Sequence, residues 1–104
     1  MFDFLGKMND IKSKMEETKQ KLEQAEIHAI SSNGKIQVTV NGNRKLLDVK
    51  VDDDFYAHAS KNELVETLKE AINEAANKSD VIMKEQMKSA TAGLLPNIPG
   101  LNMD

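Results

Sequence analysis

The chain contains no cysteine, no tryptophan and only two prolines. Missing thiols exclude disulfide staples and thiolate metal sites, a pattern that suits a reducing cytosol. Aromatics supply 4% and hydrophobic residues 39% of 104 residues, which is material for one domain with a modest core. Such a core is marginal unless a second copy extends it, so a homodimer is expected. No apolar run approaches the ~18 residues that a membrane crossing needs. The opening MFDFLGKM lacks the charged and apolar regions of a secretory signal, and no membrane partner is expected. Charge of one sign is scarce too. The balance of 14 basic against 17 acidic residues, net −3, does not advertise a nucleic-acid binder.

Helical periodicity is plentiful. Met8, Ile11, Met15, Thr18, Leu22 and Ala25 recur at alternating spacings of three and four, which predicts a helix over 3–25 with a narrow apolar seam. Lysines and acids of mixed sign fill the positions between them. No glycine or proline interrupts the chain between Lys7 and Asn33.

The stretch SSNGKIQVTVNGNRKLLDVKVD changes the period to two. Ile36, Val38 and Val40 alternate with polar residues, and Leu47, Val49 and Val51 do the same. Asn33-Gly34 supplies the φ > 0 pair that a type I′ hairpin turn demands, and Asn41-Gly42 is a second turn signal. With a first strand over Glu26 to Ser32, residues 26–52 are expected to form a three-stranded antiparallel meander with one apolar and one polar face.

Residues 53–59 read as a short connector helix. Ser60 and Glu63 then match a capping box that starts a helix over 60–92. Val65, Leu68, Ile72, Ala75, Ser79, Ile82 and Gln86 carry its seam, widened by Leu64, Ala71, Ala76, Met83, Met87 and Ala90. Gly93 ends it, and Pro96 and Pro99 punctuate a tail over 93–104, expected to be flexible. Residues 1–92 thus read as a single α+β domain. At 1.5 Å per residue the last helix spans roughly 50 Å, far more than a small domain. Both long helices are therefore expected to run antiparallel as an arm projecting from the sheet, with dimerisation through that base. Ile36, Val38, Val40, Leu47, Val49, Val51, Leu68 and Ile72 are the expected core and dimer residues.

No catalytic constellation is visible. His28 and His58 have neither cysteine nor spaced carboxylates beside them and read as structural or solvated. Asp52-Asp53-Asp54 reads as a helix start, where acids favour the dipole, rather than as a cation site. No phosphate-loop or nucleophile-elbow pattern is present. Met8, Met15, Met83 and Met87 fall on the seams and read as packing residues, although methionine-rich faces also adapt to partners. No enzyme, metal, cofactor or small-molecule substrate is expected.

Local charge says more than the total. Residues 52–74 carry seven acids against Lys61 and Lys69, a net of 2 − 7 = −5. Residues 4–15 carry Lys7, Lys12 and Lys14 against Asp10. Residues 76–92 carry Lys78, Lys84 and Lys88 against Asp80 and Glu85. If the helices pair, these two mildly basic segments meet at the distal end of the arm, where lysines could reach phosphates.

The whole chain resembles the YbaB/EbfC family of bacterial nucleoid-associated proteins. Matching pieces are Lys14-Met15, the block Lys35 to Gly42 with its Val-Thr-Val-Asn-Gly core, and Val49 to Asp52. Further matches are Ala71 to Ala75 with Lys78, Lys84 to Met87, and Gly93-Leu94 before the Pro-Gly tail. The resemblance implies a cytoplasmic, tweezer-like homodimer whose helical arms grip duplex DNA, with roles in expression control and links to recombination-repair proteins. By family pattern Lys14, Lys78 and Lys84 are DNA-contacting candidates. Lys7, Lys12 and Lys88 join them from the arm argument alone. The competing expectation is a scaffold that docks a protein partner between its arms, motivated by Phe2, Phe4, Leu5, Leu94 and Leu95 near the arm tip.

Overall fold

A computed structural model describes the backbone of residues 2–91 and the side chains of residues 5–90. The tail over 93–104 and the side chains of Phe2 and Phe4 lie outside the described residues. The order is α1 (Phe2–Gln24), β1 (Ile27–Ile30), β2 (Ile36–Val40), β3 (Leu46–Val51), α2 (Asp53–His58) and α3 (Lys61–Thr91). This is the expected α+β arrangement: a long helix, an antiparallel meander in the order β1-β2-β3, and a long helix. The molecule measures 67 × 26 × 15 Å with a radius of gyration of 19.0 Å. A compact domain of this length would have about 13 Å, so the helices project well beyond the sheet.

The core forms where α3 crosses β1 and β2. Ile27, Ala29, Ile36, Val38 and Val40 meet Ala71 and Ala75, with Leu64, Leu68, Ile72 and Val51 packed partly against them. Small residues at positions 71, 75 and 79, each fully buried, let the helix backbone approach the sheet closely. The seam of α3 is therefore centred on Ala71, Ala75 and Ser79. Val65, 43% exposed, and the exposed Gln86 fall off it. The seam of α1 is the expected one over Ile11, Met15, Thr18, Leu22 and Ala25, whereas Met8 is 53% exposed.

The first hairpin does not use the expected type I′ turn. Among the described residues only Gly34 (φ 74°) and Arg44 (φ 68°) adopt positive φ, so neither Asn-Gly dipeptide supplies a positive pair. Both connections are longer than two residues. Gly34 N–H donates to Ser31 O at 2.9 Å, and Ser31 N–H closes the loop onto Ile36 O. In the second loop Arg44 N–H donates to Asn41 O at 3.1 Å, and Asn41 N–H donates to Lys45 O. β1 is also shorter than predicted because Ser31 already belongs to the turn.

Gly42 serves another purpose. A Cβ there would lie 2.6 Å from Leu22 Cδ2 and 2.8 Å from Leu22 O. The missing side chain lets Gly42 N–H donate to Leu22 O at 2.7 Å. Asn41, 1% exposed, donates from Nδ2 to Glu23 O and accepts at Oδ1 from Asn43 N–H and Lys45 N–H. Its own carbonyl accepts from Ser79 Oγ at 3.0 Å. The β2–β3 turn thus caps the last carbonyls of α1, which helix geometry leaves without internal partners, and ties them to α3.

α2 and α3 begin as their sequences suggest. Asp52 Oδ2 accepts from Phe55 N–H at 2.9 Å, a capping role for the acidic run. Ser60 N–H donates to Glu63 Oε1 at 3.3 Å while Glu63 N–H donates to Ser60 Oγ at 3.1 Å, completing the capping box.

Candidate nucleic-acid interface

The arm carries exposed lysines on both of its helices. α1 lies against α3, with Thr18 and Leu22 buried at their contact. Toward the ends of the helices the contact opens into a groove of about 340 Å³. Lys14, Glu17 and Lys21 line it from α1, and Gln86 and Ser89 from α3. The C-terminal end of α1 is tied through Asn41 to Ser79, while Lys14 and Glu17 stand beside Gln86 to Ala90, so the helices are antiparallel.

The six candidate lysines do not form one cluster. Lys7, Lys12, Lys14, Lys84 and Lys88 are exposed along the arm. Lys14 Nζ sits 3.8 Å from Glu17 Oε2, with both side chains more than half exposed. A solvated pair of that kind contributes about 0.5 kcal/mol or less and leaves the ammonium able to swing toward another anion. Lys78 is the exception. Its Nζ donates to His28 O at 3.1 Å, which places it against β1 at the base rather than at the distal end. The expected meeting of all three α3 lysines at the tip is corrected accordingly. The cause is that the sheet reaches further along α3 than the capping position alone could indicate.

The base is acidic and largely self-satisfied. Glu70 accepts from Ser32 N–H through Oε1 and from Ser32 Oγ through Oε2. His28 Nδ1 lies 2.8 Å from Thr39 Oγ1, and His58 Nδ1 lies 3.3 Å from Asp54 Oδ1. Among the described residues no three His, Asp or Glu side chains are grouped to hold a metal ion, and no helix is long and apolar enough to cross a membrane.

The expected core residues divide into three groups. Ile36, Val38 and Val40 are buried, and Val51, Leu68 and Ile72 are half-buried. Leu47 and Val49 are 46% and 37% exposed, so within one chain they are not core. Their alternation is interrupted by a register shift that sets Leu46 and Leu47 opposite the single Val40. Sequence reasoning missed Asn41 and Gly42 as anchors and Lys21 as a groove residue. The seven-residue spacing of Lys7, Lys14 and Lys21 was the available signal for the last.

Comparison with known proteins gives the family. The chain is 32% identical over 106 residues to a nucleoid-associated protein of Afipia carboxidovorans, covering 99% of both chains. It is 35% identical over 96 residues to one from Prochlorococcus marinus strain MIT 9515, covering 92% of this chain and 82% of that one. An uncharacterized protein from Helicobacter pylori shares the fold, with a TM-score of 0.69 at 23% identity over 82% of this chain and 90% of that chain. The family model for the YbaB/EbfC DNA-binding family matches residues 1–94, and the chain belongs to that family.

Proposed function

We propose that the chain acts as a non-enzymatic, nucleoid-associated protein that binds duplex DNA as a homodimer. Its helical arms contact phosphates with little dependence on base sequence, in the cytoplasm, to organise the nucleoid or regulate genes. The observation that carries this reading is the set of exposed lysines along the arm of one elongated molecule, with Lys14 and Lys21 in the groove. Residues 52–74 of the base, by contrast, carry a net of −5, so a polyanion is favoured on the arm over that part of the base. Dimerisation is supported by β3, an edge strand on which Leu46, Leu47 and Val49 stand exposed. A contact with recombination-repair proteins is supported by family resemblance alone.

The test is a salt titration on two unrelated duplexes alongside a solution mass. Dimer mass, similar affinity for both duplexes and a loss of about 10³-fold or more between ~50 and ~200 mM salt are expected for six or more phosphate contacts. A monomer, or binding indifferent to salt, would sink the proposal. Leu5 and Met8, 64% and 53% exposed on α1, favour a second reading as a scaffold for a protein partner. A stoichiometric protein that co-purifies after nuclease treatment, with no duplex binding, would establish that reading instead.

A further inference from the structure

The lysines of α1 fall into two rows with unequal surroundings. Lys7, Lys14 and Lys21 repeat every seven residues, as do Lys12 and Lys19. Seven residues advance a helix by about 10 Å and return to within ~20° of the same direction, so each set is a straight row. The rows flank the seam of α1 on opposite sides, about 160° apart. Lys14 and Lys21 line the groove whose other wall is Gln86 and Ser89, two uncharged side chains that can donate hydrogen bonds.

On α3 the same flank continues toward the base. Ser89 lines the groove, and Lys78, eleven residues earlier, points within ~20° of it. Lys84 and Lys88 are turned from Ser89 by about 140° and 100°. Both flanks carry acids: Asp80 projects on the opposite one and holds Arg44 Nε at 3.6 Å, and Glu85 lies about 40° from Ser89 on this one, so the groove rather than net charge distinguishes them.

We propose that one DNA strand lies along the Lys7–Lys14–Lys21 flank of the arm, with Lys21 a phosphate contact and Gln86 and Ser89 donating from the facing wall. Lys12, Lys19, Lys84 and Lys88 face away from this track and contribute general attraction only. The inference rests on the proposed duplex binding and deepens it by naming the side of the arm that DNA uses. Glu17 in the groove does not oppose it, since its exposed pairing with Lys14 is readily exchanged for a phosphate.

The experiment compares Lys21→Glu with Lys19→Glu in the full-length protein, two substitutions of equal charge on one helix. Binding to a random duplex is measured from ~50 to ~200 mM salt, with solution mass and thermal melting as folding controls. Lys21→Glu is expected to weaken binding at least about tenfold at the lowest salt and to flatten the log–log salt slope by ~1 or more. Lys19→Glu is expected to weaken it less than about threefold with the slope unchanged. Ser89→Glu, placed on the facing wall, should reproduce the Lys21→Glu effect. Equal losses from Lys21→Glu and Lys19→Glu would overturn the track while leaving DNA binding in place. A wild-type protein that binds no duplex at ~50 mM salt overturns the functional reading itself.

Discussion

The two edges of the sheet are finished differently. On the β1 side, Lys78 Nζ donates to His28 O, and Glu70 takes both the N–H and the hydroxyl of Ser32. α3 lies over this side, and its long polar side chains occupy backbone groups that another strand would need. On the β3 side α3 gives little cover, and Leu46, Leu47 and Val49 remain between 37% and 46% exposed. A single sheet thus carries one edge closed to pairing and one apolar edge open to it. A molecule with one open edge can form a closed pair. With two it could extend indefinitely.

The largest effect is expected where the open edge is spoiled. Leu47→Asp combined with Val49→Asp should weaken self-association by at least about 100-fold, because each aspartate would lose water on pairing. Sedimentation should show monomer in place of the proposed dimer, while Ile30→Asp, on an exposed position of β1, should leave the mass unchanged. If the Ile30 variant dissociates and the β3 variant does not, the edges have been assigned the wrong way round.

The turn joining the edges comes next. Gly42→Ala forces a methyl group onto the backbone and side chain of Leu22 and should cost about 1–3 kcal/mol in denaturant unfolding. A cost under about 0.3 kcal/mol would show that α1 can move aside freely. A smaller change is expected when the closed edge is opened. Lys78→Met leaves His28 O without its ammonium and should alter stability by about 1 kcal/mol or less. Species heavier than a dimer should nonetheless appear at high protein concentration, and strictly dimeric behaviour would show that Lys78 does not guard β1. The smallest effect is expected at Arg44→Gly. Relief of the left-handed backbone favours the variant by roughly 1 kcal/mol, and losing the exposed Asp80 contact returns about 0.5 kcal/mol or less. A slightly higher melting temperature is predicted, and a fall would mean that the ion pair outweighs the strain.

The sequence revealed periodicity better than position. The strands at Ile36 and Leu46, the capping box at Ser60 and the seam from Ile11 to Ala25 are local patterns, fixed by side-chain spacing and neighbouring hydrogen bonds. The roles of Asn41 and Gly42 were not legible, because the partners that give them meaning are Glu23 and Leu22 on one side and Ser79 on the other. An Asn-Gly dipeptide announces a turn, but the glycine can be required by a neighbour's closeness as readily as by its own dihedral angle. The alternation through Leu47 and Val49 marked an apolar face without saying which element would cover it. Lys78 shows the same difficulty at the candidate interface. Its place in the helix pattern was plain, whereas its reach to His28 depended on how far the sheet runs along α3.

The junction of Gly42 with Leu22 also fixes the direction in which α1 meets the sheet. α1 has 23 residues and is about 34 Å long, with this junction close to its C-terminal end. A rotation of only ~5° there displaces the opposite end by roughly 3 Å, close to the spacing of successive base pairs. The methyl-sized gap at Gly42, filled by a 2.7 Å hydrogen bond, therefore sets the aim of a lever many times its own size.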